Sequence, residues 1–191
     1  METEYEATYI NIDKDEIRER LKNSGAVLER SEFLQKRIPF DLSYEKQALH
    51  TFARVRDEGD KITMSIKSIN GDKIHNQNEL CLTVDNFDHA VKFLELLGCN
   101  PKSYQESKRE LWRLDGVEIT IDTWPFLEPF VEVEGRSEEE VKKVSKKIGF
   151  DYSEALFCGT DKIYEMKYGI SCVKVNNIPK IIFDMENPFI K

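Results

Sequence analysis

Two pairs of glutamates, each pair separated by one residue, stand near opposite ends of the chain: Glu4 with Glu6, and Glu132 with Glu134. The first pair alternates with Tyr5, Ala7 and Tyr9, the second with Val131 and Val133. Successive side chains of a strand point to opposite faces, so each pair shares one face and the apolar residues take the other. The ordinary outcome is acids in solvent. The same alternation recurs, however, in stretches that carry bases. Phe52, Arg54 and Arg56 oppose Ala53 and Val55, and Thr63, Ser65 and Lys67 oppose Ile62, Met64 and Ile66. Glu79, Cys81 and Thr83 oppose Leu80, Leu82 and Val84, while Thr120 and Asp122 oppose Ile119 and Ile121. If helices cover the aliphatic faces, the polar faces line a common cavity. If the sheet is one-sided, the same charges are a solvated surface.

Electrostatics states what such a cavity would have to hold. Two carboxylates about 5 Å apart repel by roughly 3 kcal/mol at an effective dielectric near 20, so several cannot stay ionised together without cations. Oxygen ligands in that number select Mg²⁺ or Mn²⁺ over zinc. Arg54, Arg56 and Lys67, with Lys108 or Arg109, would supply forked and point-charge contacts to phosphate oxygens. Lys108 and Arg109 fall on opposite faces of one strand, and Arg109 is the one favoured to point inward.

The elements that must position these groups are legible from punctuation and period. Asp13 to Ser24 carries Ile17 and Leu21 and stops at Gly25; Asn86 to Leu97 carries Phe87, Ala90, Val91 and Leu94 and stops at Gly98. Ser137 to Ile148 opens on a capping box, Ser137 with Glu140, carries Val141 and Val144, and stops at Gly149. Strands are expected at Thr3 to Asn11, His50 to Arg56, Lys61 to Ser68, Asn78 to Val84, Lys108 to Leu114, Val117 to Thr123 and Phe130 to Gly135. Turns at Asp57 to Asp60, Asn70-Gly71 and Asp115-Gly116 join them as hairpins, which makes the pairing antiparallel and the class α+β. In the tail, Lys162 to Tyr168 reads as helix, and Lys180 to Phe183 as a strand or an extended arm. Trp124-Pro125 reads as a rigid turn with a packed ring, and Lys142, Lys143, Lys146 and Lys147 as a solvated helix face.

Composition bounds the function. The chain has 191 residues, enough for one domain with a sizeable core, and 34% charged against 40% hydrophobic residues marks a folded, soluble protein. A net charge of −8 argues against a general nucleic-acid binder, which needs a basic footprint. No apolar run reaches membrane-spanning length, and the first twenty residues are acidic, unlike a signal peptide. Cys81, Cys99, Cys158 and Cys172 lack close spacing and are expected to be reduced, mostly buried thiols of a cytoplasmic protein. His50, His75 and His89 form no ligand pattern.

Taken in order, these residues resemble the CYTH family, the triphosphate tunnel metalloenzymes, which include class IV adenylyl cyclases, thiamine triphosphatases and inorganic triphosphatases. The resemblance runs from Glu4 to about Tyr152. Glu4-Tyr5-Glu6-Ala7-Thr8 is similar to the family's opening E-x-E-x-K. Arg54-Val55-Arg56 and Thr63 through Lys67 are similar to its R-x-R and T-x-x-x-K strands, Glu79 to its mid-chain acidic strand, and Lys108-Arg109 to its later basic strand. Asp122 followed by Glu132 and Glu134 matches its D…E-x-E ending. The resemblance implies a closed eight-stranded antiparallel β-barrel, with helices packed outside and a triphosphate lying along the tunnel. Glu4, Glu6, Glu79, Asp122, Glu132 and Glu134 would hold one or two Mg²⁺ or Mn²⁺ ions, and Arg54, Arg56, Lys67 and Arg109 would grip phosphate.

The implied activity is metal-dependent triphosphate hydrolysis. An adenylyl cyclase making cyclic AMP and pyrophosphate, or a non-catalytic polyphosphate or nucleotide binder, stands as an alternative. The partner would be a small-molecule triphosphate, with no nucleic acid or membrane, and a homodimer is left open. Residues 1–175 would form the single CYTH-like domain and 176–191 its C-terminal extension. Two departures stand out. Thr8 occupies the place of the motif lysine and removes a positive charge, which Lys36 or Arg37 could replace. Cys81 stands where family members often add a second acid.

Overall fold

The structure of the chain is a computed structural model that describes residues 1–47 and 49–190. Its first strand is broken: β1 (Glu2–Thr3) and β2 (Tyr5–Tyr9) are separated at Glu4. Helix α1 (Lys14–Asn23) follows, capped by Asp13, whose carboxylate accepts from the Asp15 and Glu16 amides. Then come β3 (Val27–Asp41), a short α2 (Tyr44–Gln47), and the meander β4 (Thr51–Asp57), β5 (Ile62–Ile69) and β6 (Gln77–Val84). Helix α3 (Phe87–Leu96) leads through β7 (Asn100–Pro101) to β8 (Tyr104–Leu114), β9 (Val117–Thr123) and β10 (Phe130–Gly135). The tail holds α4 (Glu138–Lys147), α5 (Thr160–Tyr168), α6 (Cys172–Asn176) and β11 (Lys180–Ile181).

The strands run in the order β1-β6-β5-β4-β3-β8-β9-β10-β2, every neighbouring pair antiparallel. Because β1 pairs with β6 and β2 with β10, the broken first strand closes the sheet on itself. Counting that strand once gives eight staves, an α+β barrel with helices outside. The Asp115-Gly116 turn has positive φ at both residues, 52° and 85°, the geometry that matches strand twist in a two-residue hairpin.

The aliphatic faces lie outward, as the alternation requires. Ala7, Tyr9, Ile119, Ile121, Val131 and Val133 pack under α1 and α4 with Ile17, Leu21, Val141 and Val144. Phe40, Ala53 and Val55 pack under α3 with Ala90 and Leu94. The helical coat is incomplete, however: Ile66, Leu80 and Leu82, on the outer faces of β5 and β6, remain substantially exposed. A third cluster, Trp124, Phe130, Ile163, Tyr164, Val175 and Ile181, gathers α5, α6 and β11 at the barrel end where β9 finishes and β10 begins. There β11 pairs in parallel with Tyr104 and Gln105, the part of β8 that β9 is too short to cover.

Several sequence expectations need correction. Strand β3 was not anticipated. Its alternation is interrupted by register shifts between Leu28 and Arg30 and between Arg30 and Phe33, and it contains Pro39. The proline falls where pairing with β8 has ended and pairing with β7 has not begun, so no ladder hydrogen bond is lost. The capping box is only half formed: Ser137 accepts from the Glu140 amide, but the Glu140 carboxylate reaches the Arg136 amide instead. The tail helix starts two residues early, at Thr160, and Lys180–Ile181 is a strand. The cysteines are not mostly buried: Cys81 is exposed and the other three are partly so.

Candidate functional site

The inward faces enclose a cavity of about 830 Å³. All ten residues expected from the sequence line it: Glu4, Glu6, Glu79, Asp122, Glu132, Glu134, Arg54, Arg56, Lys67 and Arg109. Each arrives there by strand parity. Glu6 and Glu134 are register partners across β2 and β10, Asp122 and Arg109 across β9 and β8, and Lys67 and Glu79 across β5 and β6. Lys108 points outward, over the Phe183 ring, so Arg109 is the inward member of that pair.

Within the cavity the acids are held largely by the bases. Arg109 donates from Nε to Asp122 Oδ1 at 2.8 Å and from Nη2 to Glu132 Oε2 at 2.7 Å. Arg54 Nη2 donates to Glu79 Oε1 at 2.9 Å. Lys67 pairs with Glu4 and lies 4.0 Å from Glu6. Arg56 Nε lies 2.9 Å from Glu58 Oε1. Among the described residues Glu134 has no cation paired with it, and no three His, Cys, Asp or Glu side chains are arranged as a ready-made metal site. The expected six-acid metal cradle is therefore not preassembled, because Arg54, Lys67 and Arg109 already occupy five of its members.

Burial and crowding shift the acids unequally. Burial pushes Glu4 up to about 7, with Lys67 opposing and Glu6 reinforcing the rise. Burial also pushes Glu134 up to about 8, and its neighbours Glu6, Glu4 and Glu118 add to it. Glu6 rises for the same reasons, burial first and Glu132 second, against Lys67, Arg109 and Arg54. Glu79 moves the other way, to about 2: burial would raise it, but the Arg54 charge and hydrogen bonds from Glu4 and Ser65 prevail. Glu4, Glu6 and Glu134 are thus the cavity acids with the least compensating positive charge, oxygen donors of the kind a hard divalent ion takes, though Lys67 stands against the first two.

Other residues of the site were missed or only half read: Gln35 from β3, and Gln105 and Ser107 from β8, were not foreseen, while Arg37 of β3 was named beside Lys36 as a stand-in for the motif lysine. Arg37 donates from Nε to Gln105 Oε1 at 2.8 Å, and its guanidinium lies 4.1 Å over the Trp124 ring. Burial, then the nearby charges of Arg54 and Arg56, lower its pKa to about 9. Trp124 is a packed ring at a turn, as expected; Tyr164 fixes that turn by donating to the Pro125 carbonyl at 2.6 Å. Glu118, register partner of Glu134, could have been found by extending the β9 alternation two residues back from Thr120. Residues Phe157 to Lys162 also line the cavity, because Leu156 bridges to the free backbone edge of Thr8 and carries the segment across the wall. Thr8 shares the inward face with Glu6 and is the register partner of Glu132, but it is 1% exposed and covered from the open cavity, whereas Lys36 is exposed on the outer face of β3.

Comparison with known proteins agrees with this geometry. The family described as the CYTH domain matches residues 2–165. Among solved structures, a putative adenylate cyclase from Vibrio parahaemolyticus superposes with a TM-score of 0.72 at 13% identity, covering 85% of this chain and 97% of that one. The PH1819 protein from Pyrococcus horikoshii OT3 gives 0.69 at 19% identity, covering 86% and 99%. A putative adenylyl cyclase from Hippeastrum, described as revealing a dominant triphosphatase activity, gives 0.57 at 15% identity, covering 88% and 96%. At these identities the likeness is one of fold. No curated protein matches the chain.

Proposed function

The chain belongs to the CYTH family, and from that premise we propose that it is a divalent-metal-dependent hydrolase of a small triphosphate-bearing molecule: tripolyphosphate, thiamine triphosphate or a nucleoside triphosphate. The observation that carries the reading is the charge layout of one cavity. Glu4, Glu6 and Glu134 lack sufficient positive charge, while Arg37, Arg54, Arg56, Lys67 and Arg109 converge from four strands. An anion alone would worsen the repulsion at the acids, and a metal ion alone would worsen it at the bases. A metal–polyphosphate complex relieves both.

Glu4, Glu6 and Glu134 would hold Mg²⁺ or Mn²⁺, which would neutralise charge on phosphate oxygens and activate the attacking nucleophile. The chain's own cations would do the remainder. Arg54 and Arg109 present planar forks that can exchange a carboxylate for a phosphate edge, and Lys67 a point charge. Each is already aimed by its acid partner, so little ordering is left to accomplish on binding. Hydrolysis is preferred to cyclisation because water needs no seat, whereas a cyclase must also orient ribose and base.

The test is a substrate panel with and without Mg²⁺ or Mn²⁺, read for orthophosphate and for cyclic AMP. Metal-dependent orthophosphate release, abolished by Glu134→Gln, is expected. Cyclic AMP and pyrophosphate from ATP would move the assignment to a cyclase. Tight tripolyphosphate binding without turnover would move it to a binding protein. Neither binding nor turnover across the panel would refute it.

A further inference from the structure

We propose that Arg37 is a phosphate-binding residue of this chain, supplying from β3 the positive charge that Thr8 leaves out of β2. The proposal rests on the triphosphate reading above. Its starting point is an asymmetry among the cavity cations. Arg54, Arg56, Lys67 and Arg109 each have a carboxylate partner: Glu79, Glu58, Glu4, and Asp122 with Glu132, respectively. Arg37 has none among the described residues. Among the described residues its sole hydrogen bond runs from Nε to the neutral Gln105, and neither terminal nitrogen of the fork has a partner there.

The surroundings of Arg37 hold the guanidinium in place without neutralising it. Trp124 lies beneath the plane and is itself buried, and Gln105 fixes the edge. Arg56 is the direct register partner of Arg37 across β3 and β4, and Arg54 stands nearby on the same inward face. Like charges placed opposite each other on adjacent strands repel. Arg54 and Arg56 are engaged by Glu79 and Glu58, so Arg37 adds beside them a fork that no carboxylate pairs, and together they form a seat for an anion carrying more than one negative charge. Two free N–H groups on one planar fork match the spacing of two phosphate oxygens. Lys36, the other candidate for replacing the missing lysine, is ruled out by its position on the outer face.

The experiment titrates tripolyphosphate by calorimetry, with and without Mg²⁺, into the full chain and into Arg37→Gln, Arg37→Lys, Arg54→Gln and Lys36→Gln, with melting temperatures measured in parallel. Arg37→Gln should weaken tripolyphosphate binding at least tenfold. It should also melt no lower than the parent without ligand, because repulsion from Arg54 and Arg56 is relieved. Arg37→Lys should restore part of the affinity, a charge without the fork, and Lys36→Gln should bind as the parent does. A lower melting temperature for Arg37→Gln with unchanged affinity would make Arg37 a merely structural residue and overturn the proposal. If Arg54→Gln loses affinity while Arg37→Gln keeps it, the triphosphate reading stands and this assignment falls. If the parent chain fails to bind tripolyphosphate at all, both fall.

Discussion

Replacing Glu134 by glutamine isolates the cost of the cation-poor end of the cavity. In the folded chain this carboxyl titrates at about 8, against an ordinary value of 4.5, because it is buried beside Glu6, Glu4 and Glu118. A carboxyl whose folded value is raised holds its proton longer in the native state than in the unfolded one. Its contribution is fully present below pH 4.5 and is lost as pH rises through 8. At 1.36 kcal/mol for each pH unit, the loss is about 3 kcal/mol at pH 7 and levels off at about 5 kcal/mol by pH 9. Glu134→Gln removes that loss. Urea denaturation without metal should therefore show the variant equal to the parent at pH 4, about 3 kcal/mol more stable at pH 7 and about 5 kcal/mol more stable at pH 9. A residual slope of the same sign remains from Glu4, which titrates at about 7. Added Mn²⁺ should stabilise the parent at pH 8 and leave the variant nearly unchanged. If parent and variant lose stability in parallel between pH 5 and 9, Glu134 is not the buried, unpaired acid described here, and the reasoning fails.

Arg109→Gln should act in the opposite direction, leaving Asp122 and Glu132 buried without their shared cation. A loss of about 3–5 kcal/mol at pH 7, reduced at pH 4 where Glu132, pushed up by burial, is protonated, is expected from denaturation midpoints. Thr8→Lys introduces a long side chain at a position that is 1% exposed on the inward face, opposite Glu132. Overpacking should cost about 1–3 kcal/mol in thermal or urea denaturation, and unchanged stability would show room for the lysine.

The period of two carried most of the site. Wherever a strand keeps its alternation unbroken, as at Glu4 to Tyr9, Ala53 to Arg56 and Phe130 to Glu134, the inward residue was readable without coordinates. The reading failed where local geometry departs from that period. The two register shifts of β3 scramble the faces of its first half, and Pro39 suppresses any strand assignment over Gln35 and Arg37. Ile38 and Phe40, alternating with Arg37 and Pro39, were the one signal available. Acid–base pairing inside the cavity was equally hidden. Arg109 meets both Asp122 and Glu132 through a path that crosses two strand pairs, so its partners depend on barrel registers that a linear pattern does not contain. The family pattern pointed to phosphate-gripping bases but could not show which of them arrive already engaged. The tail's helix and its strand-or-arm were legible, but not where the strand docks: β11 pairs with β8 because β8 outruns β9, a mismatch in length between two other strands.

The break at Glu4 has a consequence for how this molecule comes into being. Its opening residues must wait for stretches made much later, since Tyr9 pairs with Val131 and Thr8 is clasped by Leu156. A nascent chain leaving the ribosome will carry a half-built wall with two raw edges for most of its synthesis, and contacts so distant in sequence form slowly. The seam beside the acids joins the two ends of the wall, so the emerging polypeptide has no sealed vessel until the stretch from Val131 to Leu156 has been made.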